Sequence, residues 1–173
     1  MPQPRTLYLV LLLLVLSGCG FHLRGTVVLP ENMARTYIAA GNSSALGYEL
    51  ENMLTAAGGV VVHERAEATA ILTLHEERLS SRVLTLDAQG RTSGRVLTLL
   101  ASFSMVDAQG RVVAEHEGVR IERDFSFDPD NVLAQGGEES LLQEEMRRLA
   151  AQQILRRTRA LSRKAGPGSG QEP

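Results

Sequence analysis

Residues 68–127, ATAILTLHEERLSSRVLTLDAQGRTSGRVLTLLASFSMVDAQGRVVAEHEGVRIERDFSF, decide the fold. The stretch is rich in Val, Leu, Ile, Thr and Phe, and it alternates as a half-buried strand must. Leu97, Leu99, Ala101, Phe103 and Met105 share one side, while Thr98, Ser102 and Ser104 share the other. The pentapeptide Asp-Ala-Gln-Gly-Arg occurs at 87–91 and again at 107–111, each time between strand-like runs. Each copy places a glycine where a hairpin turn needs positive φ, so the repeat predicts two successive hairpin turns rather than a solenoid. The next strand follows from Val112, with Val119, Ile121, Phe125 and Phe127 on one face and Arg120, Glu122 and Asp124 on the other.

Outward from this core the pattern changes period. Upstream, Thr26–Leu29, Thr36–Ala40 and Val60–Val62 read as short strands. Between the last two, a turn at residues 41–44 offers capping side chains before Leu46, Leu50, Met53, Leu54 and Ala57, an amphipathic helix stopped by Gly58-Gly59. Downstream, Asp128-Pro129-Asp130 ends the strands. A second helix is predicted from Glu138-Glu139, whose carboxylates suit the positive end of a helix, to the basic cluster around Arg163-Lys164. Its apolar stripe is Leu142, Met146, Leu149, Ala150, Ile154 and Leu161. Two one-sided helices and an antiparallel or mixed sheet of about four main strands make a two-layer α+β sandwich, both helices on one sheet face. The domain is expected over residues 19–164. The Gly- and Pro-rich tail at 165–173 is expected to be disordered.

The beginning of the chain carries an address. Arg5 precedes the apolar run Leu7–Leu16, which is too short for a bilayer core that needs about 20 helical residues. Residues 1–18 therefore read as a cleaved signal peptide. Leu16-Ser17-Gly18-Cys19 resembles a bacterial lipobox, which implies a diacylglycerol thioether and an N-acyl chain on Cys19. Several acyl chains together give essentially permanent attachment. Gly20, where an aspartate tends to hold such lipoproteins at the inner membrane, implies outer-membrane sorting with the domain on the periplasmic side.

Composition excludes other classes. Among the 173 residues, 18 basic against 20 acidic groups give a net charge of −2, not the positive field that non-specific nucleic-acid binding requires. One cysteine and four histidines are a poor metal inventory, and a single cysteine makes no internal disulfide. His63-Glu64, His75-Glu76 and His116-Glu117 do not continue as H-E-x-x-H, and neither a G-x-S-x-G elbow nor a phosphate-binding glycine loop occurs. No catalytic apparatus and no cofactor beyond the anchor lipid are expected. Seventeen of the 18 basic residues are arginine, whose guanidinium matches phosphate and carboxylate bidentately. Arg91, Arg95 and Arg111, at or near the two hairpin turns and joined by Arg82, are the candidate contacts for an anionic ligand.

The opening Cys19-Gly20-Phe21-His22-Leu23-Arg24 resembles the start of mature proteins of the LptE family. The order of elements and the segments Phe125–Asp130, Val132-Leu133-Ala134, Glu138-Glu139, Met146-Arg147 and Ala150–Leu155 are similar to that family throughout the mature chain. The resemblance implies a non-enzymatic subunit that plugs the LptD β-barrel one to one, binds lipopolysaccharide, aids its insertion into the outer leaflet and helps the barrel assemble. It also implies lipid contacts at a hairpin tip, which Arg91 approximately fills, and just after the Leu-Ala segment, where this chain has the uncharged Gln135. A pilotin-like lipoprotein serving another barrel without binding lipopolysaccharide is the alternative that the residues leave open.

Overall fold

The computed structural model describes residues 29–41 and 44–165. The expected leader, Cys19, most of the strand expected at Thr26–Leu29, and the tail past Ala165 lie outside the described residues. Leu29 itself is in no strand.

Five strands form one open sheet in the order β2-β1-β3-β4-β5. β1 (Arg35–Ala39) runs parallel to both β2 (Val60–Val62) and β3 (Ala70–Leu86). β3, β4 (Thr92–Asp107) and β5 (Val112–Ser126) form an antiparallel meander. The sheet is thus mixed, with three long strands and two short ones. Helix α1 (Ala45–Ala56) makes the crossover from β1 to β2, and α2 (Val132–Ala165) follows the meander.

Local chemistry explains the boundaries. The Ser44 hydroxyl caps α1 by accepting the Gly47 N–H at 2.8 Å, and it donates to the Glu77 carboxylate on β3, also at 2.8 Å. One side chain thereby starts the helix and fastens it to the sheet. At the other end Gly58 takes φ +83°, which lets the Gly59 N–H return to the Leu54 carbonyl and close the helix. α2 begins upstream of the position that Glu138-Glu139 suggested. The Asp128 turn, with its carboxylate accepting the Asp130 N–H and its carbonyl the Asn131 N–H, aims the chain straight into a helix at Val132. Gly136 and Gly137 stay within that helix, in open space and at a propensity cost of about 1 kcal/mol each.

Both helices lie on one sheet face. Leu46, Leu50 and Leu54 from α1 and Met146, Ala150, Ala151, Ile154 and Leu155 from α2 meet Leu72, Leu97, Leu99, Ala101, Phe103 and Met105 in one core. The expected α2 stripe is rotated slightly. Leu149 and Leu161 are only half-buried, while Ala151 and Leu155 go inside, because the small Ala150-Ala151 pair lets the helix approach the sheet. Thr158 completes this face, its buried hydroxyl bonded to the Ile154 and Leu155 carbonyls.

The core does not run the whole length of the meander. In β3, Ala70 and Leu72 are buried, whereas residues 80–86 are exposed on both faces. The molecule therefore has two unlike ends. At one, Leu29 lies against the position of a Gly59 side chain, the Asn32 amide meets the Ser162 carbonyl, and the Ala108 N–H meets the Thr69 carbonyl. Both ends of the described chain gather there. At the other end the β3–β4 hairpin projects past the core.

Candidate functional site

The two Asp-Ala-Gln-Gly-Arg segments form the two hairpin turns and fold in the same way. In the first, the Asp87 carboxylate accepts the N–H groups of Gln89 and Arg91 at 3.0 and 2.8 Å, and Gly90 adopts φ +78°. In the second, Asp107 accepts from Gln109 and Arg111, both at 2.9 Å, and Gly110 adopts φ +76°. Aspartate side chains close such turns by standing in for a backbone acceptor, and glycine supplies the left-handed residue. The fifth residue then folds back, with Arg91 Nε on Asp87 at 2.8 Å and Arg111 Nε on Asp107 at 2.6 Å. The repeat is thus a structural device in both of its copies.

What distinguishes the copies is their setting. Successive turns of a meander lie at opposite ends, and β4, 16 residues long, separates them by about 50 Å at ~3.3 Å per residue. Arg111 accompanies the end where the chain termini gather. Arg91 and Arg95 share the projecting tip, so the structure brings two of the three candidate arginines together and leaves the third apart. The meander topology already contained this separation, since two consecutive hairpin turns cannot be neighbours.

At the tip, Arg91 is the hub. Its Nη1 donates to Asp130 Oδ1 at 2.6 Å and its Nη2 to Oδ2 at 3.5 Å, so it ties the β3–β4 turn to the loop between β5 and α2. Arg95 reaches Glu139 on α2 at 3.9 Å and lies over the Phe127 ring at 5.7 Å, while Phe127 packs on Phe125 at 5.3 Å. Arg82 pairs in register with Val96, whose alternation places it on the helix-free side, away from Arg95. Asp130 is the partner that sequence reading missed. The Asp-Pro-Asp segment signalled a strand end, but not the ion pair across the tip.

The electrostatics follow from these contacts. Hydrogen bonds and attraction from Arg91 hold the Asp130 carboxyl below the usual carboxylate range and raise the Arg91 guanidinium further above its own. At Asp87 and Asp107, desolvation alone pushes the carboxyl upward. The turn N–H groups and the arginine outweigh it, and both carboxyls lie below their ordinary value. The Arg91–Asp130 pair is open to solvent on both sides and therefore exchangeable and salt-sensitive, whereas the Asp87 carboxylate is largely covered.

The three His-Glu pairs do not assemble a reaction centre. His75 and His116, each at a β-bulge, stack at 5.1 Å on the helix-free side, and His75 Nε2 meets Ser104 Oγ at 2.8 Å. Among the described residues no group of three His, Cys, Asp or Glu side chains can hold a metal ion.

Comparison with known proteins agrees with this architecture. The sequence profile of the LptE family, described as lipopolysaccharide-assembly, matches residues 33–158. LPS-assembly lipoprotein LptE of Photorhabdus laumondii subsp. laumondii is 27% identical over 152 residues, 87% of this chain and 82% of the relative. The solution structure of lipoprotein B from Nitrosomonas europaea matches with a TM-score of 0.70 at 28% identity, covering 89% of this chain and 99% of that one. Rare lipoprotein B from Shewanella oneidensis shares the fold, with a TM-score of 0.67 at 23% identity over 76% of this chain and 98% of that one. The profile match runs from the first turn of the described domain through β1, the meander and most of α2, and the chain therefore belongs to the LptE family of non-enzymatic lipopolysaccharide-assembly lipoproteins.

Proposed function

We propose that this lipoprotein is anchored to the outer membrane through acyl chains on Cys19, stands on the periplasmic side and plugs the LptD barrel one to one. There its hairpin tip meets lipopolysaccharide on the way to the outer leaflet, and its sandwich supports the assembly of the barrel. The observation that carries this reading is the two-ended shape. Leu29, ten residues after Cys19 in sequence, lies at the end where the described termini gather, and the Arg91 tip lies at the other end of a β4 about 50 Å long. That length exceeds the ~40–45 Å of a bilayer with its headgroups. A domain held at the inner leaflet can then present its tip across the membrane, provided that a barrel shields its polar surface. A barrel with a polar, water-filled lumen accommodates such a surface.

Arg91 and Arg95 are the proposed phosphate contacts. Phosphate displaces Asp130 from the two Nη groups of Arg91, exchanging one exposed anion for another. Arg111 belongs to the opposite end and acts separately from this pair. Photocrosslinking tests the whole reading, with the reactive group placed at Arg91 and, separately, on the exposed face of α2 at Leu141. The expected result is a lipopolysaccharide adduct from position 91 and an LptD adduct from both. Adducts to a different barrel, with no glycolipid from position 91, would return the chain to the pilotin-like class.

A further inference from the structure

Charge changes sign along α2. From Val132 to Glu145 its charged residues are Glu138, Glu139, Glu144 and Glu145, whereas Arg156, Arg157, Arg159, Arg163 and Lys164 crowd its last ten residues with no acidic group between them. Most charges before that end find partners: Glu139 meets Arg95, Glu145 meets Arg123, Arg147 meets Glu77 and Arg148 meets Glu49. Arg157 meets Glu117 and the Gly118 carbonyl. Arg156 and Arg163 are exposed and meet no carboxylate among the described residues. Arg156 makes no hydrogen bond or ion pair among them, and Arg163 donates from Nε to the Arg159 carbonyl at 3.4 Å. Cations in a last turn answer the negative end of a helix, as Arg163 and Lys164 do here. Arg156 stands two turns upstream, beyond that effect, and lies on the same solvent face as Arg163.

This cationic end belongs to the base of the domain, where the described termini gather. The Asn32 amide meets the Ser162 carbonyl there, and the Asp107 turn hangs on the Thr69 backbone beside Arg35. That turn adds Val112, 62% exposed, and Arg111, whose Nε is held by Asp107 while its Nη groups make no hydrogen bond among the described residues. Of the acids near the base, Glu67 is held by Arg35 and Asp107 by Arg111, and alternation from the buried Ala114 turns Glu115 toward the helix-free side. Glu31 remains exposed there. Guanidinium groups beside an exposed valine suit the phosphates and outer methylenes of an anionic bilayer. The tether favours that partner, since the ten residues from Cys19 to Leu29 span at most about 35 Å and hold this end beside the membrane of the anchor.

We propose that the last turns of α2, through Arg156 and Arg163 with Arg111 beside them, rest on the anionic phospholipid headgroups of the bilayer that carries the anchor. The location rests on the acylation of Cys19, whereas the chemistry of the contact does not. A basic surface adds to an acyl anchor as a second hold on the membrane. It also orients the domain. The same headgroups repel the carboxylates in the first half of α2, so the base turns toward the headgroup layer and the Arg91 tip away from it.

Flotation with vesicles tests the contact. The native lipoprotein floats with neutral phosphatidylcholine vesicles and with phosphatidylglycerol-containing ones alike, which reads the anchor alone. The same mature chain with Cys19→Ala has no acyl group. At low ionic strength it floats with the phosphatidylglycerol vesicles and not with the neutral ones, and added salt releases it. In that chain Arg156→Glu with Arg163→Glu weakens the binding by about tenfold or more. Arg156→Lys with Arg163→Lys retains it, because the positive charge is kept. Arg78→Glu with Arg120→Glu makes the same change in net charge on the helix-free face and alters the binding by about twofold at most. Thermal unfolding of each variant shows that its fold is intact. A Cys19→Ala chain that ignores anionic vesicles, a lysine pair that fails to bind, or a reversal at 156 and 163 no more harmful than that at 78 and 120 overturns the proposal. A native chain that floats with neither kind of vesicle overturns the anchor reading instead.

Discussion

The paired turns offer an internal control for what a turn aspartate contributes. Asp107→Ala removes three hydrogen bonds, from the Gln109 and Arg111 N–H groups at 2.9 Å and from Arg111 Nε at 2.6 Å. The Asp107 side chain is 4% exposed and the neighbouring Ala108 N–H is bound to Thr69, so water is poorly placed to take over the lost bonds. At about 0.5–1.5 kcal/mol net per bond, and more for the charged one, the loss comes to about 2–3 kcal/mol. For a domain of this size that lowers Tm by roughly 6–12 °C. Asp87→Ala removes the same three bonds at a side chain that is 17% exposed, on a tip surrounded by exposed residues, and its effect is smaller. Thermal unfolding of the two variants, followed by circular dichroism, gives both values. An Asp87→Ala drop equal to or larger than that of Asp107→Ala would refute the placement of one turn against the core and the other outside it.

Urea denaturation of Ile154→Ala, which empties a fully buried α2 position, shows a loss of about 2–5 kcal/mol, whereas Leu84→Ala on the projecting hairpin stays within about 0.5 kcal/mol; similar losses for both contradict the assigned core. The carboxyls of Asp87, Asp107, Asp130 and Glu122 lie below their ordinary values in the folded state, so the unfolded chain takes up protons first on acidification. The urea midpoint accordingly varies little, as far as these four groups control it, down to about pH 5 and falls progressively below about pH 4, as protons enter the native pairs; a midpoint that rises on acidification through that range reverses the assigned sign. Asp130→Asn removes the charge that competes for Arg91, so lipopolysaccharide binding at low salt strengthens severalfold, while Arg91→Glu with Arg95→Glu removes it. Binding that ignores both changes, measured by surface plasmon resonance over a salt series, places the contact elsewhere.

Much of the fold was legible because its signals were local. The alternation from Leu97 to Met105 set the inward face of β4, and all five expected residues are buried. The capping turn before Leu46 and the glycine pair after Ala57 bounded α1 to within a residue or two. What escaped was set by distant contacts. Val132 starts a helix because the Asp128 turn redirects the chain, although two glycines follow it within that helix. The burial of Ala151 rather than Leu149 depends on how closely α2 approaches the sheet, which the spacing within α2 does not encode. The candidate site was legible in part for the same reason. Arg91 and Arg95 are near each other in sequence and in space, whereas Asp130, 39 residues from Arg91, enters only through the closing of the tip.

The tip and the core also differ in how they are held, and this difference bears on function. From Leu97 to Met105, β4 has strands on both sides and helices above it, with every inward residue buried. Toward Thr92 the ladder continues, but the apolar cover thins. The tip then depends on backbone pairing, two bulges, the Phe125–Phe127 contact and the ion pairs from Arg91 to Asp130 and Arg95 to Glu139. Exposed ion pairs contribute little to stability and exchange readily with other ions. A segment held in this way opens at a lower free energy than the core beneath it, as the proposed lipid contact needs. On the proposed reading, a phosphate that replaces Asp130 keeps the guanidinium satisfied throughout, so an anionic lipid is taken up and released without disturbing the core that holds Ile154 and Phe103. The turn at Asp107 lacks that freedom, because its arginine is held by a buried carboxylate beside the Thr69 backbone, so the same five residues form a fixed corner at one end and, on the proposed reading, an exchangeable contact at the other.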